Sequence, residues 1–395
     1  MTRTTCRGCD SRELELVIDL ADQPPSNALL TRFDQEQKRY PLRMVVCKIC
    51  WLMQVDYDVE HHELFNGLYP YFSGSSKQWQ AHCKDYVAMI TKRLGLTAGS
   101  YVIEVGGNDG TLLQNFNCDT LNVEPSGNVA GASMDKNIPT IIQRFQNVTA
   151  NRHGADLIIA NNVLAHDPDL NGFAAAITRN LAPKGTCTIE FPWAKRLISD
   201  GEFDTIYHEH YSYFSLTALI PLLREHNLHV YDVEELETHG GSLRAYVSHL
   251  GVSRSSADVV GDVLLREAAL RDLRTYEEFK ARAHLCAADL LQFLQEHPGV
   301  VLGAGAAAKA TVFTNFAGIT RDDIPLVGDN TPWKWRKVMP GSLIEIVPED
   351  EIVDAKPEYI LIFPWNWSSE IMGAYRSMGY KGKFVTAIPK LEVFE

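Results

Sequence analysis

Groups that could transfer protons are concentrated in one short run of the chain. The run Tyr207-His208-Glu209-His210 combines a phenol, two imidazoles and a carboxylate within four positions. Burying such groups together costs desolvation free energy unless each finds a partner, and that cost is usually tolerated where protons must move. The run could bind a metal ion or act as a general base.

Metal binding is the weaker interpretation of this run. His208 and His210 alternate, so they would share a face only in an extended segment. Neither a His-Glu-x-x-His helix nor a third ligand at a familiar spacing is present. A structural role, with the tyrosine and histidine side chains bonded to backbone groups, remains an alternative to proton transfer.

A clearer metal signal lies near the N-terminus. Two Cys-x-x-Cys pairs, Cys6/Cys9 and Cys47/Cys50, are separated by 37 residues. Each pair can direct two thiolates at one tetrahedral ion, so together they predict a closed, structural Zn²⁺ site. The residues between the pairs are too few for a large core, and the metal would therefore supply folding free energy.

Composition limits the function classes. The chain has 395 residues, of which 45% are hydrophobic, with 37 basic and 50 acidic side chains and a formal charge of -13. This length allows two or three domains, and the charge argues against a general nucleic-acid surface or anchoring to anionic lipid. The sequence has no apolar run near the ~20 residues that span a bilayer and no signal-peptide pattern, so we expect a cytoplasmic protein.

A strand and glycine loop in the middle of the chain predict a nucleotide-type cofactor site. Residues 101–105 read as a buried strand that leads into Gly106-Gly107-Asn108-Asp109-Gly110, and a helix is expected to open at Thr111. The spacing Glu104-x-Gly106-x-x-x-Gly110 resembles the first motif of class I methyltransferases, which use S-adenosylmethionine. Glu124 ends the next predicted strand, where a carboxylate can accept hydrogen bonds from ribose hydroxyls. A dehydrogenase would use the same acid, so an NAD enzyme is not excluded by this spacing.

The following elements continue the pattern of a doubly wound sheet. Residues 156–162 and 186–191 read as strands, with a helix from about 172 to 181 between them. Ligands of such sheets bind beyond the carboxyl ends of the strands. Gly106, Asn108, Glu124, Asn161 and Glu190 are expected at that rim, and His166 would face the same crevice.

A second strand and glycine loop follow a long helical region at about residues 256–297. The loop Gly303-Ala304-Gly305-Ala306 precedes Lys309, and strands are expected at 324–330, 359–363 and 383–388. This C-terminal segment could help to hold a phosphorylated substrate through Lys309 and the loop amides. It could equally be a Rossmann-like remnant that only packs against the central part.

The order of the motifs resembles that of the sugar C-methyltransferases of deoxysugar pathways. The motifs are the cysteine pairs, Tyr71 to Ser76, Glu104 to Gly110, Tyr207 to His210, Gly240 to Arg244 and Gly303 to Ala306. The resemblance implies an α/β protein with a zinc-binding domain at 1–68, a class I methyltransferase Rossmann-like domain at 69–280 and a C-terminal Rossmann-like domain at 281–395. It also implies methylation at C3 of a 4-keto-6-deoxyhexose that is usually carried on dTDP, and departures in the glycine loops leave GDP open. We expect a monomer without nucleic-acid or membrane partners.

Site residues follow from the same resemblance. His210 would be the base that removes the C3 proton, Tyr207 and His166 would lie near the C4 oxygen, and Glu209 would orient the sugar or the histidine. Glu104, Gly106, Asn108, Asp109, Gly110, Glu124 and Asn161 would bind S-adenosylmethionine, and Cys6, Cys9, Cys47 and Cys50 would bind structural Zn²⁺. Tyr71, Ser73, Ser76 and Lys309 would contact the substrate. An NAD-dependent nucleotide-sugar oxidoreductase or epimerase is the main alternative, and a zinc-containing binding protein with a degenerate methyltransferase fold is a third.

Overall fold

The computed structural model describes residues 2–64, 72–75, 77–150, 153–237, 240–252, 254 and 258–395. Its strands form three sheets, one for each of the segments distinguished by the sequence. The predicted α/β architecture, with a cysteine-rich N-terminal part, a central doubly wound sheet and a second α/β lobe, is confirmed.

The N-terminal part forms a small antiparallel sheet. Its strands alternate buried and exposed side chains only in part, and the cysteine pairs lie in the tight turns at the ends of the strands. The elements are β1 (Leu14–Gln23), β2 (Tyr40–Cys47), β3 (Met53–Val55) and α1 (His61–Leu64).

The central part forms a seven-stranded sheet with helices on both faces. The elements are α2 (Lys77–Leu94), β4 (Tyr101–Val105), β5 (Asp119–Val123), α3 (Gly127–Asp135), β6 (Thr140–Ile141), β7 (Ala155–Asn161), α4 (Leu170–Asn180), β8 (Leu181–Pro192), α5 (Ala194–Asp200), β9 (Ser212–Tyr213), α6 (Leu216–Glu225), β10 (Leu228–Leu236) and β11 (Ser242–His249). The strand order is β10-β11-β8-β7-β4-β5-β6. β9 does not join this sheet but pairs with β3, so the N-terminal sheet has the order β1-β2-β3-β9.

Parallel pairing determines where a ligand can bind in the central sheet. β4 pairs in parallel with β5 on one side and with β7 on the other, and β7 pairs in parallel with β8. β4 therefore lies at the point where the strand order reverses, and the crevice beyond its carboxyl end is the expected ligand site. The middle strand β7 is almost entirely apolar and buried, as is typical of a parallel sheet that is covered on both faces.

The C-terminal part forms a six-stranded sheet preceded by two helices. The elements are α7 (Val259–Arg266), α8 (Leu273–Glu296), β12 (Val301–Ala304), α9 (Ala308–Ala317), β13 (Leu326–Gly328), β14 (Glu345–Val347), α10 (Glu349–Ala355), β15 (Tyr359–Ile362), α11 (Ser368–Ser377), β16 (Lys383–Thr386) and β17 (Glu392–Phe394). The order is β14-β13-β12-β15-β16-β17, and all pairs are parallel except β16 with β17.

One predicted helix is wrong. The helix expected to open at Thr111 is a single 3-10 turn, Leu113–Asn115, because β5 begins at Asp119 and leaves no room for a longer helix. The strands β3, β6, β9, β14 and β17 were not expected from the sequence, since each has only two or three residues, and the longer strands β10 and β11 were not expected either.

The apolar core connects the N-terminal sheet with the C-terminal lobe. Ile18 and Leu20 of β1 belong to the same buried cluster as Phe203, Phe313 and Val327. Two further clusters lie on opposite faces of the central sheet, as the alternation of Val102 and Ile103 along β4 requires. The segment between α5 and β9, which carries the Tyr-His-Glu-His run, therefore lies where the N-terminal sheet meets the C-terminal lobe.

Candidate active site

The four N-terminal cysteines converge. Their sulfur atoms all lie within 4.8 Å of one another, with 3.5 Å between the Cys6 and Cys50 sulfurs and 3.6 Å between those of Cys9 and Cys47. Among the residues that the structure describes, this is the one group of three or more potential ligands arranged for a metal ion. Four sulfurs without an open position match the donor set of a structural Zn²⁺ site.

The first glycine loop, residues 106–110, follows the carboxyl end of β4 at the centre of the sheet. Gly106 and Gly110 have positive φ angles of 65° and 73°, which glycine adopts without strain. A Cβ on Gly107 would lie 2.5 Å from the Asn122 side-chain oxygen and 2.8 Å from a Glu104 carboxylate oxygen. Glycine at this position therefore leaves both oxygens facing the loop.

Unpartnered polar atoms surround this loop. Glu104 Oε2, Asn122 Oδ1 and Asn161 Oδ1 are buried and have no hydrogen-bond partner. Burial raises the pKa of Glu104 well above its ordinary value. Buried acceptors of this kind are costly unless a ligand supplies donors, and S-adenosylmethionine has an ammonium group, ribose hydroxyls and an adenine amine. The donor and acceptor set of the site therefore fits this cofactor.

Glu124 closes the same crevice from the end of β5. Its two carboxylate oxygens accept hydrogen bonds from the Asn108 N–H at 3.1 Å and the Ser126 N–H at 2.8 Å. Each carboxylate oxygen has a further lone pair, so hydroxyl groups can still bond there. Asp109 is more fully engaged, because its oxygens accept from Thr111, from the Gly74 N–H and from Lys136.

Sequence reasoning placed Glu190 at this crevice and missed two residues around it, Asn122 and Arg244. Asn122 lies two positions before Glu124, so strand alternation could have placed it on the same face. Glu190 and Arg244 form a buried ion pair, 2.8 Å between Nη2 and Oε2, at the end of β8. The sequence marked Arg244 only as the last residue of the Gly-Gly-Ser-Leu-Arg motif. That motif does not indicate that Arg244 pairs with Glu190.

The Tyr-His-Glu-His run forms a tight turn beside the site, not an extended strand. The Tyr207 hydroxyl lies 2.9 Å from His210 Nε2, and His210 Nδ1 lies 3.3 Å from the Thr205 carbonyl oxygen. A carbonyl oxygen only accepts, so Nδ1 of a neutral His210 carries the proton. The Nε2 lone pair then accepts from the Tyr207 hydroxyl, and this nitrogen is the basic atom of the pair.

His166 connects this turn to the cofactor loop. It lies in the 3-10 turn Leu164–His166 after β7, and its ring centre is 4.7 Å from that of His210. Its Nδ1 donates to the Glu209 carbonyl oxygen at 2.8 Å. Burial lowers the pKa of His166 to about 4, so the imidazole is neutral near pH 7. The turn that carries it also contacts the glycine loop, because a Cβ on Gly106 would lie 2.9 Å from Val163.

Glu209 turns away from His210 and toward the N-terminal part. One carboxylate oxygen accepts from the Asn27 side-chain amide at 2.7 Å. Burial raises the pKa of Glu209 to about 7. No sequence motif pointed to Asn27, because its role depends on a contact across 182 positions of the chain.

The predicted substrate residues are only partly described. Tyr71 and Ser76 lie outside the described residues. The Ser73 N–H donates to the Asn108 side chain at 3.0 Å, so its segment lies over the first glycine loop. The Lys309 ammonium donates to Asn366 at 3.0 Å and lies 4.1 Å from the centre of the Trp365 ring.

Lys309 also affects two buried carboxylates that precede the Tyr-His-Glu-His run. Burial raises the pKa of Glu202 to about 8 and that of Asp204 to about 6, and the charge of Lys309 opposes both shifts. The Trp365 indole N–H donates to Asp204 at 3.0 Å. Lys309 thus lies at the contact between the C-terminal lobe and the turn that leads to Tyr207.

A curated relative covers nearly the whole chain. C-methyltransferase NovU from Streptomyces niveus is 31% identical over 406 aligned positions, which include 98% of this chain and 96% of the relative. The chain belongs to the C-methyltransferase family. Family models match in the same order as the three sheets: a zinc binding domain at 6–65, a methyltransferase domain at 79–233 and a C-methyltransferase C-terminal domain at 237–389.

Solved methyltransferase structures resemble part of this family member. An S-adenosylmethionine-dependent methyltransferase from Clostridium acetobutylicum is 14% identical, with 45% of this chain and 94% of the other covered and a TM-score of 0.37. The magnesium protoporphyrin IX methyltransferase from Synechocystis is also 14% identical, with coverages of 43% and 79% and a TM-score of 0.35. The family assignment depends on the full-length relative.

From the sequence we expected no segment that spans a membrane. Across the described ranges, every helix is too short or too polar to cross a bilayer.

Proposed function

We propose that this C-methyltransferase transfers the methyl group of S-adenosylmethionine to C3 of a nucleotide-linked 4-keto-6-deoxyhexose. The observation that carries the proposal is the Tyr207–His210 pair, with a basic Nε2 beside the turn that connects to the cofactor loop. Methylation of oxygen or nitrogen needs little more than a base near the acceptor. Methylation of carbon requires a carbanion, which is accessible when the carbon lies next to a carbonyl group.

The proposed proton transfer starts at His210. Once the Tyr207 hydroxyl has turned from Nε2 to the C4 oxygen, Nε2 takes the proton from C3, the C3–H electron pair forms a C3=C4 double bond, and the negative charge moves to the C4 oxygen. A hydrogen bond from the Tyr207 hydroxyl would stabilise that oxygen, while neutral His166 keeps its single ring N–H on the Glu209 carbonyl oxygen. The cofactor supplies an electrophilic methyl group on a sulfonium. C3 bonds to this methyl carbon, the carbon–sulfur electron pair remains on sulfur, and the proton on His210 returns to solvent.

Roles of the remaining residues belong to the same proposal. Glu104, Glu124 and Asn161 would bind the cofactor with their side chains, and the loop from Gly106 to Gly110 would approach it with its backbone. Ser73 and Lys309 would contact the nucleotide diphosphate, dTDP or GDP, and Lys309 would share its charge between that group and Asn366. The four cysteines would hold Zn²⁺ as a structural ion.

Two observations favour this proposal over an NAD-dependent oxidoreductase or epimerase. Asp329, which ends the strand after the second glycine loop, forms a 2.9 Å ion pair with Lys334. The same carboxylate accepts the N–H of Ala306 in that loop and the N–H of Thr331. The acid that would bind a dinucleotide ribose is therefore engaged within the protein.

Solvent exchange tests the proton transfer separately from methyl transfer. We expect the wild-type protein with S-adenosylhomocysteine in D₂O to exchange the C3 hydrogen of a dTDP- or GDP-linked 4-keto-6-deoxyhexose, as followed by NMR. His210→Asn should slow exchange and turnover by about 10² to 10⁴-fold, because general-base catalysis is lost. Calorimetry should find its affinity for S-adenosylhomocysteine unchanged.

The control is His249→Asn, since His249 bonds to the Leu181 carbonyl oxygen at 3.1 Å, at the start of β8 and thus at the edge of the sheet opposite the cofactor crevice. It should behave as wild type. Near-normal turnover of His210→Asn would show that His210 is not the base. A 4-keto group acidifies the hydrogens on both neighbouring carbons, C3 and C5. Exchange and methylation at C5 would therefore mean that C5, and not C3, accepts the methyl group. A methyl group on oxygen would refute the carbanion mechanism.

A further inference from the structure

The chain segment that follows the Tyr-His-Glu-His run is part of the cysteine-rich sheet. β9 pairs in antiparallel register with β3, and the Val55 N–H donates to the Tyr211 carbonyl oxygen at 3.1 Å. β3 begins three residues after Cys50. The run is therefore attached by backbone hydrogen bonds to a strand that emerges directly from the second cysteine pair.

Gln54 connects β3 to the first cysteine pair. Its side chain is buried, its Nε2 donates to the Cys6 sulfur at 3.3 Å, and its Oε1 accepts the Arg7 N–H at 3.0 Å. An N–H donor directed at sulfur favours the thiolate, which is the form that binds Zn²⁺. Because both ends of the amide bond to residues of this Cys-x-x-Cys turn, the position of β3 depends on that turn.

Arg7 forms a second connection. Its buried guanidinium donates to the Val55 carbonyl oxygen at 3.1 Å and forms an ion pair with Asp58. The guanidinium carbon lies 5.0 Å from the centre of the Tyr211 ring, within the range of a cation–π contact. Arg7 stands between Cys6 and Cys9, so it joins the metal-binding turn to the residue that follows His210.

Tyr213 extends the connection to the reactive pair. Its hydroxyl oxygen accepts the Tyr207 N–H at 3.2 Å, and its ring centre lies 6.0 Å from that of His210. On the neighbouring side, the Tyr211 N–H donates to the Ala165 carbonyl oxygen at 2.8 Å, next to His166. A displacement of β9 would therefore move the supports of both histidines.

We propose that the cysteine metal site positions the Tyr207–His210 pair, acting through Gln54, Arg7 and Tyr213. The proposal rests on the proposed function only in taking this pair as the proton-transfer group. Displacements of about 1 Å can cost about 10²-fold in rate when a catalytic geometry must be preorganised. The cofactor crevice is formed by β4, β5 and β7, which hydrogen-bond to one another and not to β3 or β9.

Hydrogen–deuterium exchange with and without Zn²⁺ tests the coupling directly. We expect removal of Zn²⁺ from the full chain by a chelator to speed exchange in residues 206–214 together with residues 40–55. Residues 101–105 and 119–123 should stay protected, and binding of S-adenosylhomocysteine by calorimetry should persist. Unchanged protection of residues 206–214 after metal loss would overturn the proposal, and so would loss of protection in the central strands at the same metal concentration.

Two variants test the positioning residues in the Zn²⁺-loaded protein. Tyr213→Phe removes the acceptor of the Tyr207 N–H, and Gln54→Met removes both amide contacts while keeping side-chain length. Each should lower kcat by about 10-fold, with little change in KM or in affinity for S-adenosylhomocysteine. Tyr213→Phe should keep its full zinc content. Tyr375→Phe is the matched control, because Tyr375 is a buried tyrosine of the C-terminal lobe and should leave kcat unchanged.

The outcomes separate this proposal from the proposed function. If Tyr213→Phe retains wild-type kcat, the positioning role is refuted even when His210 is the base. If His210→Asn stays active but exchange in residues 206–214 follows the metal, the coupling stands and the assignment of the base fails.

Discussion

The two glycine loops of this chain begin from the same local pattern and differ in what surrounds them. In both, a glycine that directly follows the strand donates its N–H to the next strand, Gly106 to Val123 at 2.8 Å and Gly305 to Gly328 at 2.7 Å. In both, an acid at the end of that strand accepts a further loop N–H. The backbone scaffold of a nucleotide site is thus present twice.

The difference lies in two side chains. Glu104 occupies β4 two positions before Gly106, whereas Gly303 occupies the corresponding position of β12. Glu124 of the first loop accepts the N–H groups of Asn108 and Ser126, whereas Asp329 of the second loop is ion-paired with Lys334. A strand and a glycine loop therefore predict a scaffold, and the partners of the acids decide whether that scaffold can bind a ligand.

The largest difference in cofactor affinity should come from Glu124 and Asp329, the acids at the ends of the strands that follow the two glycine loops. Glu124→Ala should weaken binding of S-adenosylhomocysteine by about 100-fold, since hydrogen bonds to a charged group contribute about 1.5–3 kcal/mol. Asp329→Ala should leave this affinity unchanged and lower the melting temperature, because Lys334 loses its partner. Calorimetry and thermal unfolding measure the two effects. Equal losses of affinity in both variants would mean that the second loop also contributes to cofactor binding.

An intermediate effect is expected for the glycines. In Gly107→Ala the new methyl group would displace the Asn122 and Glu104 oxygens that face the loop, so affinity for S-adenosylhomocysteine should fall by roughly 10-fold. In Gly303→Ala the methyl group would lie 3.0 Å from the Phe363 ring, which should reduce stability but not affinity. A loss of affinity in Gly303→Ala but not in Gly107→Ala would mean that the second loop, and not the first, binds the cofactor.

The smallest effect is a pH dependence that only the first loop should have. Burial raises the pKa of Glu104, so the folded protein binds this proton more tightly than the unfolded chain does. The stabilisation that this tighter proton binding contributes is fully present below the unfolded pKa of about 4.3. It is lost as the pH rises toward the raised pKa of the folded protein. Glu104→Gln cannot titrate at this position, so its stability does not show this decrease with pH. Denaturant unfolding without ligand from pH 4 to 8 should show the variant gaining stability relative to wild type as the pH rises, and a constant difference would contradict the shift.

The sequence was most informative where local pattern carries the physics. The Cys-x-x-Cys pairs predicted a four-sulfur cluster, and buried strands followed by glycine predicted both nucleotide-type loops. These features depend on residues close together in the chain, so their spacing is sufficient. The predicted helix after Gly110 failed because the length of the connection to β5, not the apolar residues at 111–113, decides what can form there.

The amino-acid sequence by itself determined the order of the three parts, the four cysteines that cluster, and the run of tyrosine, histidine and glutamate proposed to move a proton. Only the tertiary structure decided which atoms meet: that Nε2 of His210 faces Tyr207, that Glu209 bonds to Asn27, and that β9 leaves the central part to join β3. The reason is physical, since these contacts join residues up to 182 positions apart, and their energy depends on burial and geometry that no local spacing encodes.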